Sequence, residues 1–145
     1  MTSSSLTYKL FFDGCSKGNP GIAGAGAVIY NHLNKEIWSK SSFVGKKETN
    51  NMAEYSGLIL GLEEVVEMGG SIRNLIIKGD SKLVIEQMKG NYKVNSPNLL
   101  QLYKKAKELL LKGNFESIDF IHVYRNENKR ADELSNLGLV LGLHI

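Results

Sequence analysis

The hydrophobic periodicity of this chain first changes at Thr49, and that change restricts the possible folds more than any other feature. Before Thr49, short runs of β-branched and aromatic residues are separated by turn residues, which is typical of strands. After it, Leu58, Leu62 and Val65 recur at helical spacing, and strand-like segments then alternate with helical ones. The predicted order is β-β-β-α-β-α-α-β-α. It indicates an α/β fold with a five-stranded mixed sheet flanked by helices on both faces.

Turn residues set the predicted limits of each element. The first strand, Tyr8 to Phe12, is predicted to stop at Asp13-Gly14, and the following CSKGNPG is predicted to be a loop. The other strands are predicted in GAGAVIYN, EIWSKSSFV, NLIIKGD and the run from Phe115 to Tyr124. The helices are predicted in TNNMAEYSGLILGLEEVVEM, SKLVIEQMKG, SPNLLQLYKKAKELLLKG and ENKRADELSNLGL.

Two aspartates follow apolar strands that we expect to lie side by side. A right-handed crossover places the strand before Asp80 parallel to the strand before Asp13, so both carboxylates lie at the carboxyl edge of the sheet. Neighbouring strands are about 4.8 Å apart, and two like charges at about 4 Å repel by about 4 kcal/mol at an effective dielectric constant near 20. A cation between them would remove this repulsion. The alternative is that each aspartate only forms a turn or caps a helix.

Two further acids differ in how clearly the pattern separates them from surface charge. Glu54 falls on the stripe of Leu58 and Leu62, so its carboxylate should lean toward the sheet, where it needs a cation or a hydrogen-bonding partner. Its position in the first helical turn would also suit the helix dipole. Asp132 lies off the predicted Leu134–Leu137–Leu141 face, so its own pattern equally suits a solvated helix charge.

Composition indicates one intracellular globular domain. The chain has 145 residues, 42% of them hydrophobic, and a formal net charge of +3 that does not by itself indicate a nucleic-acid partner. We expect a frayed N-terminus over residues 1–5 and a single domain over 6–145. Cys15 is the one cysteine, so we expect no internal disulfide and no disulfide partner. No segment has the length and apolarity of a membrane span, and we expect no membrane partner and a cytoplasmic location, with the nucleus as the alternative.

Four sequence blocks, each containing one of these four acids, resemble blocks of the type 1 ribonuclease H family and occur in the same order along the chain. They are FFDGCSKGNPG, TNNMAEYSGLILGL, IIKGDSKLVIEQ and ENKRADELSN, and the similarity runs from Tyr8 to Leu137. The resemblance implies a ribonuclease H-like fold in which four carboxylates bind two divalent ions when substrate is present. The four are Asp13, Glu54, Asp80 and Asp132. Oxygen ligands suit Mg²⁺ first and Mn²⁺ as a substitute.

The resemblance also implies an activity and a substrate. The family hydrolyses the RNA strand of RNA–DNA hybrids to products with a 5′-phosphate and a 3′-hydroxyl. By similarity, Asp13 would bridge the two ions, Asp132 would hold the ion on the water side, and Glu54 with Asp80 would hold the ion on the leaving-group side. The positions that match the family's substrate contacts are Gly18, Asn19, Thr49, Asn50 and Asn51. Asn50 and Asn51 would equally suit helix N-capping.

The sequence departs from many family members in two places. The junction YRNEN carries no loop histidine, as in the archaeal and retroelement branch, and Arg125 would occupy that region as a further catalytic residue; His122 is assigned to the last strand. Only NYKVN precedes Ser96-Pro97, so the basic protrusion of some relatives is absent, and hybrid binding would depend on lysines such as Lys82. Such lysines are equally typical of a solvated surface.

The prediction from sequence is a monomeric, metal-dependent endoribonuclease. Two alternatives remain: a non-catalytic module of the same fold that binds nucleic acid or protein, and a related nuclease that acts on double-stranded RNA. The Gly-rich GIAGAGAV does not favour a dinucleotide site, because it leads into a strand instead of opening a helix. Close packing of strand glycines explains it better.

Overall fold

The computed structural model describes residues 6–144 and contains one five-stranded sheet in the order β3-β2-β1-β4-β5. Strands β1, β2 and β3 are antiparallel, whereas β4 and β5 continue the sheet in parallel from β1. The strands are β1 Thr7–Gly18, β2 Gly21–Tyr30, β3 Glu36–Glu48, β4 Asn74–Gly79 and β5 Ser117–His122. The helices are α1 Asn50–Met68, α2 Lys82–Met88, α3 Pro97–Gly113 and α4 Lys129–Gly142, and two short 3₁₀ turns span Gly69–Ser71 and Arg125–Glu127. The predicted order and fold class are confirmed, whereas the frayed end predicted for residues 1–5 lies outside the described residues.

The first strand is longer than predicted. Instead of stopping at Asp13, β1 continues to Gly18 and pairs residue by residue with β2, so that Asp13 lies opposite Gly26. The predicted loop CSKGNPG is therefore mostly strand, and the connection is only Asn19 and Pro20, joined by a cis peptide bond. The reason is a contact between separate segments of the chain. The β2 backbone forms the ladder with β1, so these residues adopt strand geometry despite their high turn propensity.

Helix α1 begins and ends at residues that suit its termini. The Thr49 side chain accepts a hydrogen bond from the Met52 backbone N–H over 3.2 Å, and Gly69, with φ of 64°, ends the helix. The N-cap is thus Thr49, and the capping role considered for Asn50 and Asn51 is wrong. Their side chains are left for other contacts.

Helices cover the two faces of the sheet in different ways. On one face, α1 buries a large apolar core that includes Leu10, Phe12 and Leu58. On the other face, α4 packs against β2 and β3 through a set of mostly small residues. This buried set is Ala131, Leu134, Ser135, Gly138, Leu139 and Gly142.

The predicted buried face of α4 is wrong in part. Leu134 is buried, but Leu137 and Leu141 are each 50% exposed. The cause is the glycine-rich strand β2, which lets the helix approach the sheet closely. A Cβ on Gly26 would lie 2.6 Å from the backbone nitrogen of Ser135, so glycine is required at that contact.

Two further features bear on the sequence predictions: the hydropathy of the helices and the position of Cys15. Among residues 6–144, every helix is too short or too polar to cross a lipid bilayer. Cys15 is a free, half-buried thiol on β1. Its position on β1 places it beside the carboxyl edge of the sheet, where the predicted site residues converge.

Candidate active site

Asp13 and Asp80 meet at the carboxyl edge of the sheet, as the crossover argument predicts. In the parallel pair of β1 and β4, Phe12 lies opposite Gly79, so the residues that follow them are neighbours. Asp13, Glu54 and Asp80 each offer one carboxylate oxygen, and these three oxygens lie within 4.8 Å of one another. Three separate parts of the chain thus supply one acidic cluster.

Glu54 reaches this cluster because α1 approaches β1 without an intervening side chain. A Cβ on Gly14 would lie 2.1 Å from the carbonyl carbon of Ala53, so glycine is required at that contact. The Gly14 backbone N–H donates a hydrogen bond to the Glu54 carboxylate. Glu54 is only 7% exposed, which confirms the prediction that it faces the sheet.

The electrostatics of the cluster favour a bound cation. Burial raises the pKa of Asp13 to about 7, with a further contribution from the charge of Asp80, although hydrogen bonding to Glu54 acts in the opposite direction. Burial, followed by the proximity of Asp13, also raises the pKa of Glu54 well above its usual range. Carboxylates in this state hold protons unless another positive charge replaces them. The oxygen-only donor set therefore fits a hard divalent cation.

Asp132 lies in the same cleft, on the first turn of α4. Its backbone N–H donates to the Asn128 carbonyl oxygen over 3.0 Å, and its carboxylate accepts a hydrogen bond from Asn136 over 3.3 Å. It lies outside the group of three oxygens that meet within 4.8 Å. The cleft, of about 530 Å³, therefore contains a compact carboxylate cluster with the fourth predicted acid on its wall.

On the wall formed by β5 and the following turn, the sequence pattern missed three cleft-lining residues, His122, Val123 and Tyr124. Arg125 lines the cleft, as the resemblance suggests, together with Tyr124 and His122. The Nε2 atom of His122 lies 3.3 Å from the Asp80 carbonyl oxygen, and its ring contacts that of Tyr124 edge to face. His122 is the last residue of β5 and pairs with Gly79, so the rule that placed Asp80 at the sheet edge would also have located it.

The opposite wall joins the β1–β2 hairpin to the start of α1. The Ser16 backbone N–H donates to the Asn50 side chain over 2.9 Å, and the Asn50 backbone N–H donates to the Asn19 side chain over 2.9 Å. Asn50 and Asn51 both line the cleft. These bonds fix the edge of the cleft at which the resemblance places substrate contacts.

The remaining predicted substrate positions differ in how close they lie to the cleft. Gly18 closes β1 with φ of 95°, and the Thr49 hydroxyl is used in capping α1. Lys82 is exposed at the start of α2 and is not among the cleft-lining residues. The binding roles of these three residues stay predictions.

Comparisons with known proteins identify the class to which this fold and cleft belong. Residues 11–138 match the family model described as reverse transcriptase-like. The bifunctional protein Rv2228c of Mycobacterium tuberculosis is 43% identical over 124 residues, which are 86% of this chain and 33% of that protein. The chain thus spans about a third of the length of this relative. The match defines an α/β domain of the ribonuclease H-like class.

Solved structures define the family more closely. RNase H1 of the archaeon Halobacterium salinarum has a TM-score of 0.84 and 35% identity, over 92% of this chain and 97% of that one. LC11-RNase H1, solved in complex with an RNA/DNA hybrid, has a TM-score of 0.87 and 33% identity, over 94% of this chain and 99% of that one. The chain belongs to the type 1 ribonuclease H family.

Proposed function

We propose that this chain is an endoribonuclease that hydrolyses the RNA strand of RNA–DNA hybrids and leaves a 5′-phosphate and a 3′-hydroxyl. The observation that carries the proposal is the convergence of Asp13, Glu54, Asp80 and Asp132 on one cleft. A similar enzyme, LC11-RNase H1, has been solved with an RNA/DNA hybrid bound, which supports this choice of substrate. All four carboxylates come from one chain, which supports a monomer as the active form.

The carboxylates would hold two divalent ions, with Mg²⁺ as the natural metal and Mn²⁺ as a substitute. In this proposal Asp13 would help to hold both ions, Asp132 would help to hold the ion on the water side, and Glu54 with Asp80 would hold the ion on the leaving-group side. When bound, such ions lower the pKa of the attacking water and stabilise the charge on the leaving 3′ oxygen. Water would be the nucleophile, so no covalent intermediate would form between substrate and protein.

The chain itself supplies a rigid arrangement of these ligands. Asp13 lies within a paired strand, and the Gly14 N–H holds the Glu54 carboxylate against that strand. Burial makes the ionised cluster unfavourable without a cation, which increases the gain when a divalent ion binds. The carboxylates are therefore preorganised for metal and need little movement when substrate arrives.

Discrimination between RNA and DNA is assigned to the hairpin wall. A 2′-hydroxyl both donates and accepts hydrogen bonds, and so does a side-chain amide. Asn50 and Asn51 line the cleft, while Asn19 and Gly18 lie at the adjoining end of the hairpin. Thr49 would contact phosphate, and Lys82 would attract the nucleic-acid backbone from outside the cleft.

Arg125 is assigned to the opposite wall as a phosphate contact. It is exposed and lines the cleft from the turn between β5 and α4. A guanidinium group is a fixed cation with several donors, so it can hold a phosphate oxygen but does not act as a general base. Its contribution would be orientation of the substrate.

The test compares substrates, metal and one matched pair of variants. Purified protein is incubated with a hybrid, duplex RNA and duplex DNA of one sequence, in Mg²⁺ and in EDTA. We expect cleavage of the RNA strand of the hybrid in Mg²⁺ only, with loss of most activity in Asp13→Asn. Asp119→Asn makes the same chemical change at an exposed position on β5 and should retain wild-type activity.

Three results would contradict the proposal in different ways. Binding of the hybrid without cleavage in Mg²⁺ would support the non-catalytic module. Preferred cleavage of duplex RNA would support the alternative nuclease. Cleavage by Asp13→Asn at the wild-type rate would show that the acidic cluster is not the metal centre.

A further inference from the structure

A buried hydroxyl on α4 contacts the carboxylate at the centre of the acidic cluster. The Ser135 Oγ lies 3.4 Å from Asp13 Oδ2 and 2.8 Å from the backbone carbonyl oxygen of Asp132. Ser135 is fully buried, with 0% of its surface exposed, so water does not replace this contact. One side chain thus connects two of the four carboxylate-bearing residues.

The bond from Ser135 to the Asp132 carbonyl is not needed to satisfy that carbonyl. The side-chain amide of Asn136 donates to the same oxygen over 2.9 Å. A serine hydroxyl has a single proton, so it can donate to Asp132 or to Asp13 at one time. Because the carbonyl has a second donor, the hydroxyl can turn to Asp13 without leaving a buried acceptor unpaired.

A bond to Asp13 becomes stronger when that carboxylate is ionised. Hydrogen bonds to a charged acceptor are shorter and roughly twice as strong as neutral ones. A carboxylate that binds a metal ion is ionised, so a donor that contacts one of its oxygens from behind forms its stronger hydrogen bond in the metal-binding state. Gly14 supplies a backbone donor on one side of the cluster, and Ser135 supplies a hydroxyl from the α4 side.

We propose that Ser135 is a positioning residue that orients the Asp13 carboxylate for divalent metal binding by donating a hydrogen bond to Oδ2. The proposal rests on the metal centre assigned under the proposed function. Held in this way, Asp13 keeps one oxygen fixed against α4, and the carboxylate keeps a single rotamer in the metal-binding cleft. Partners of this kind behind metal ligands typically change metal affinity or activity by about 10- to 100-fold when removed.

The test compares Ser135→Ala with Ser56→Ala. Alanine is smaller than serine and favours helix, and Asn136 still satisfies the Asp132 carbonyl, so Ser135→Ala should fold. Ser56 is the matched control, because its hydroxyl donates to the Met52 carbonyl within α1 over 2.8 Å and is not among the cleft-lining residues. Each variant is unfolded thermally, titrated with Mg²⁺ by calorimetry without substrate, and assayed for hybrid cleavage over a series of Mg²⁺ concentrations.

We expect the Mg²⁺ dissociation constant to rise about 10-fold in Ser135→Ala and to stay unchanged in Ser56→Ala. The Mg²⁺ concentration for half-maximal cleavage should rise in parallel, with the KM for the hybrid at saturating Mg²⁺ unchanged. If wild type binds Mg²⁺ and Ser135→Ala binds it equally well, the positioning role is wrong while the metal centre stands. If Asp13→Asn cleaves the hybrid at the wild-type rate and with the wild-type dependence on Mg²⁺, the metal centre fails and the positioning role fails with it.

Discussion

The side-chain amide of Asn128 donates a hydrogen bond to the backbone carbonyl oxygen of Phe12 over 2.9 Å, in the interior of the protein. Phe12 immediately precedes Asp13 on β1, and Asn128 immediately precedes α4, which carries Asp132. The backbone carbonyl oxygen of Asn128 also accepts a hydrogen bond from the Asp132 backbone N–H. One buried residue therefore sets the start of α4 relative to the strand that carries Asp13.

Asn128→Ala should reduce both stability and activity. Loss of the amide leaves the Phe12 carbonyl without this buried donor, which costs about 1–3 kcal/mol and should lower the Tm by several degrees. Cleavage of the hybrid should fall because α4 and Asp132 are held less firmly. Asn98→Ala, at an exposed position on α3, should change neither quantity. Thermal unfolding and initial rates measure both effects, and a wild-type Tm for Asn128→Ala would contradict the assignment.

The raised pKa of Asp13 predicts how the stability of the metal-free protein depends on pH. Its usual value of 3.8 is raised to about 7 in the folded protein, so the folded state binds the proton more tightly than the unfolded state. Stability in EDTA should therefore fall as the pH rises from about 4 to about 7, by up to about 1.4 kcal/mol for each pH unit. Burial of Glu54 acts in the same direction.

Asp13→Asn tests this origin directly. In EDTA at pH 8 the variant should have a higher Tm than wild type. The difference should shrink toward pH 4, because Asp13 in the folded protein is then protonated and, like asparagine, carries no charge. Added Mg²⁺ should raise the Tm of wild type more than that of Asp13→Asn, because ligand binding stabilises the folded state. Parallel Tm curves for the two proteins between pH 4 and pH 8 would exclude Asp13 as the cause.

The sequence predicts the element order and the meeting of Asp13, Glu54 and Asp80 from spacing and chain connection, whereas only the family resemblance places Asp132 with them. Apolar runs locate the strands, and the handedness of the crossover then brings Asp13 and Asp80 to one edge of the sheet. Glu54 follows from its position on the helical stripe of Leu58 and Leu62. These inferences need only spacing and the rules of chain connection.

The sequence does not predict features that depend on contacts between distant segments. Continuation of β1 beyond Asp13 depends on pairing with β2, which supplies backbone partners from Gly21 onward. The buried face of α4 is set by glycines on β2, so Ser135 is buried while Leu137, which is more apolar, stays half exposed. In each case tertiary contacts override the local pattern.

Gly26→Ala should push α4 away from the sheet. The new Cβ would lie 2.6 Å from the Ser135 backbone nitrogen and 2.5 Å from the Leu134 Cβ, so the helix must move. Overpacking of this kind costs about 1–3 kcal/mol, and hybrid cleavage should fall because α4 carries Asp132. Gly70→Ala is the control, since nothing lies within 4 Å of its Cβ position. Equal Tm and equal cleavage rates in the two variants would show that close packing at Gly26 does not position the site.

Arg125→Ala should lower the rate of cleavage without changing the shape of its pH dependence. Arginine is a fixed cation in proteins and does not act as a general base, so the substitution would remove only the proposed phosphate contact. We expect a fall of about 10-fold in kcat/KM, which corresponds to about 1.4 kcal/mol of transition-state binding. Arg73→Ala removes an exposed ion pair with Glu116 outside the cleft and should leave the rate unchanged. A pH–rate series on both variants distinguishes the outcomes: a new pH dependence in Arg125→Ala would indicate a role in proton transfer, and a wild-type rate would remove Arg125 from the mechanism.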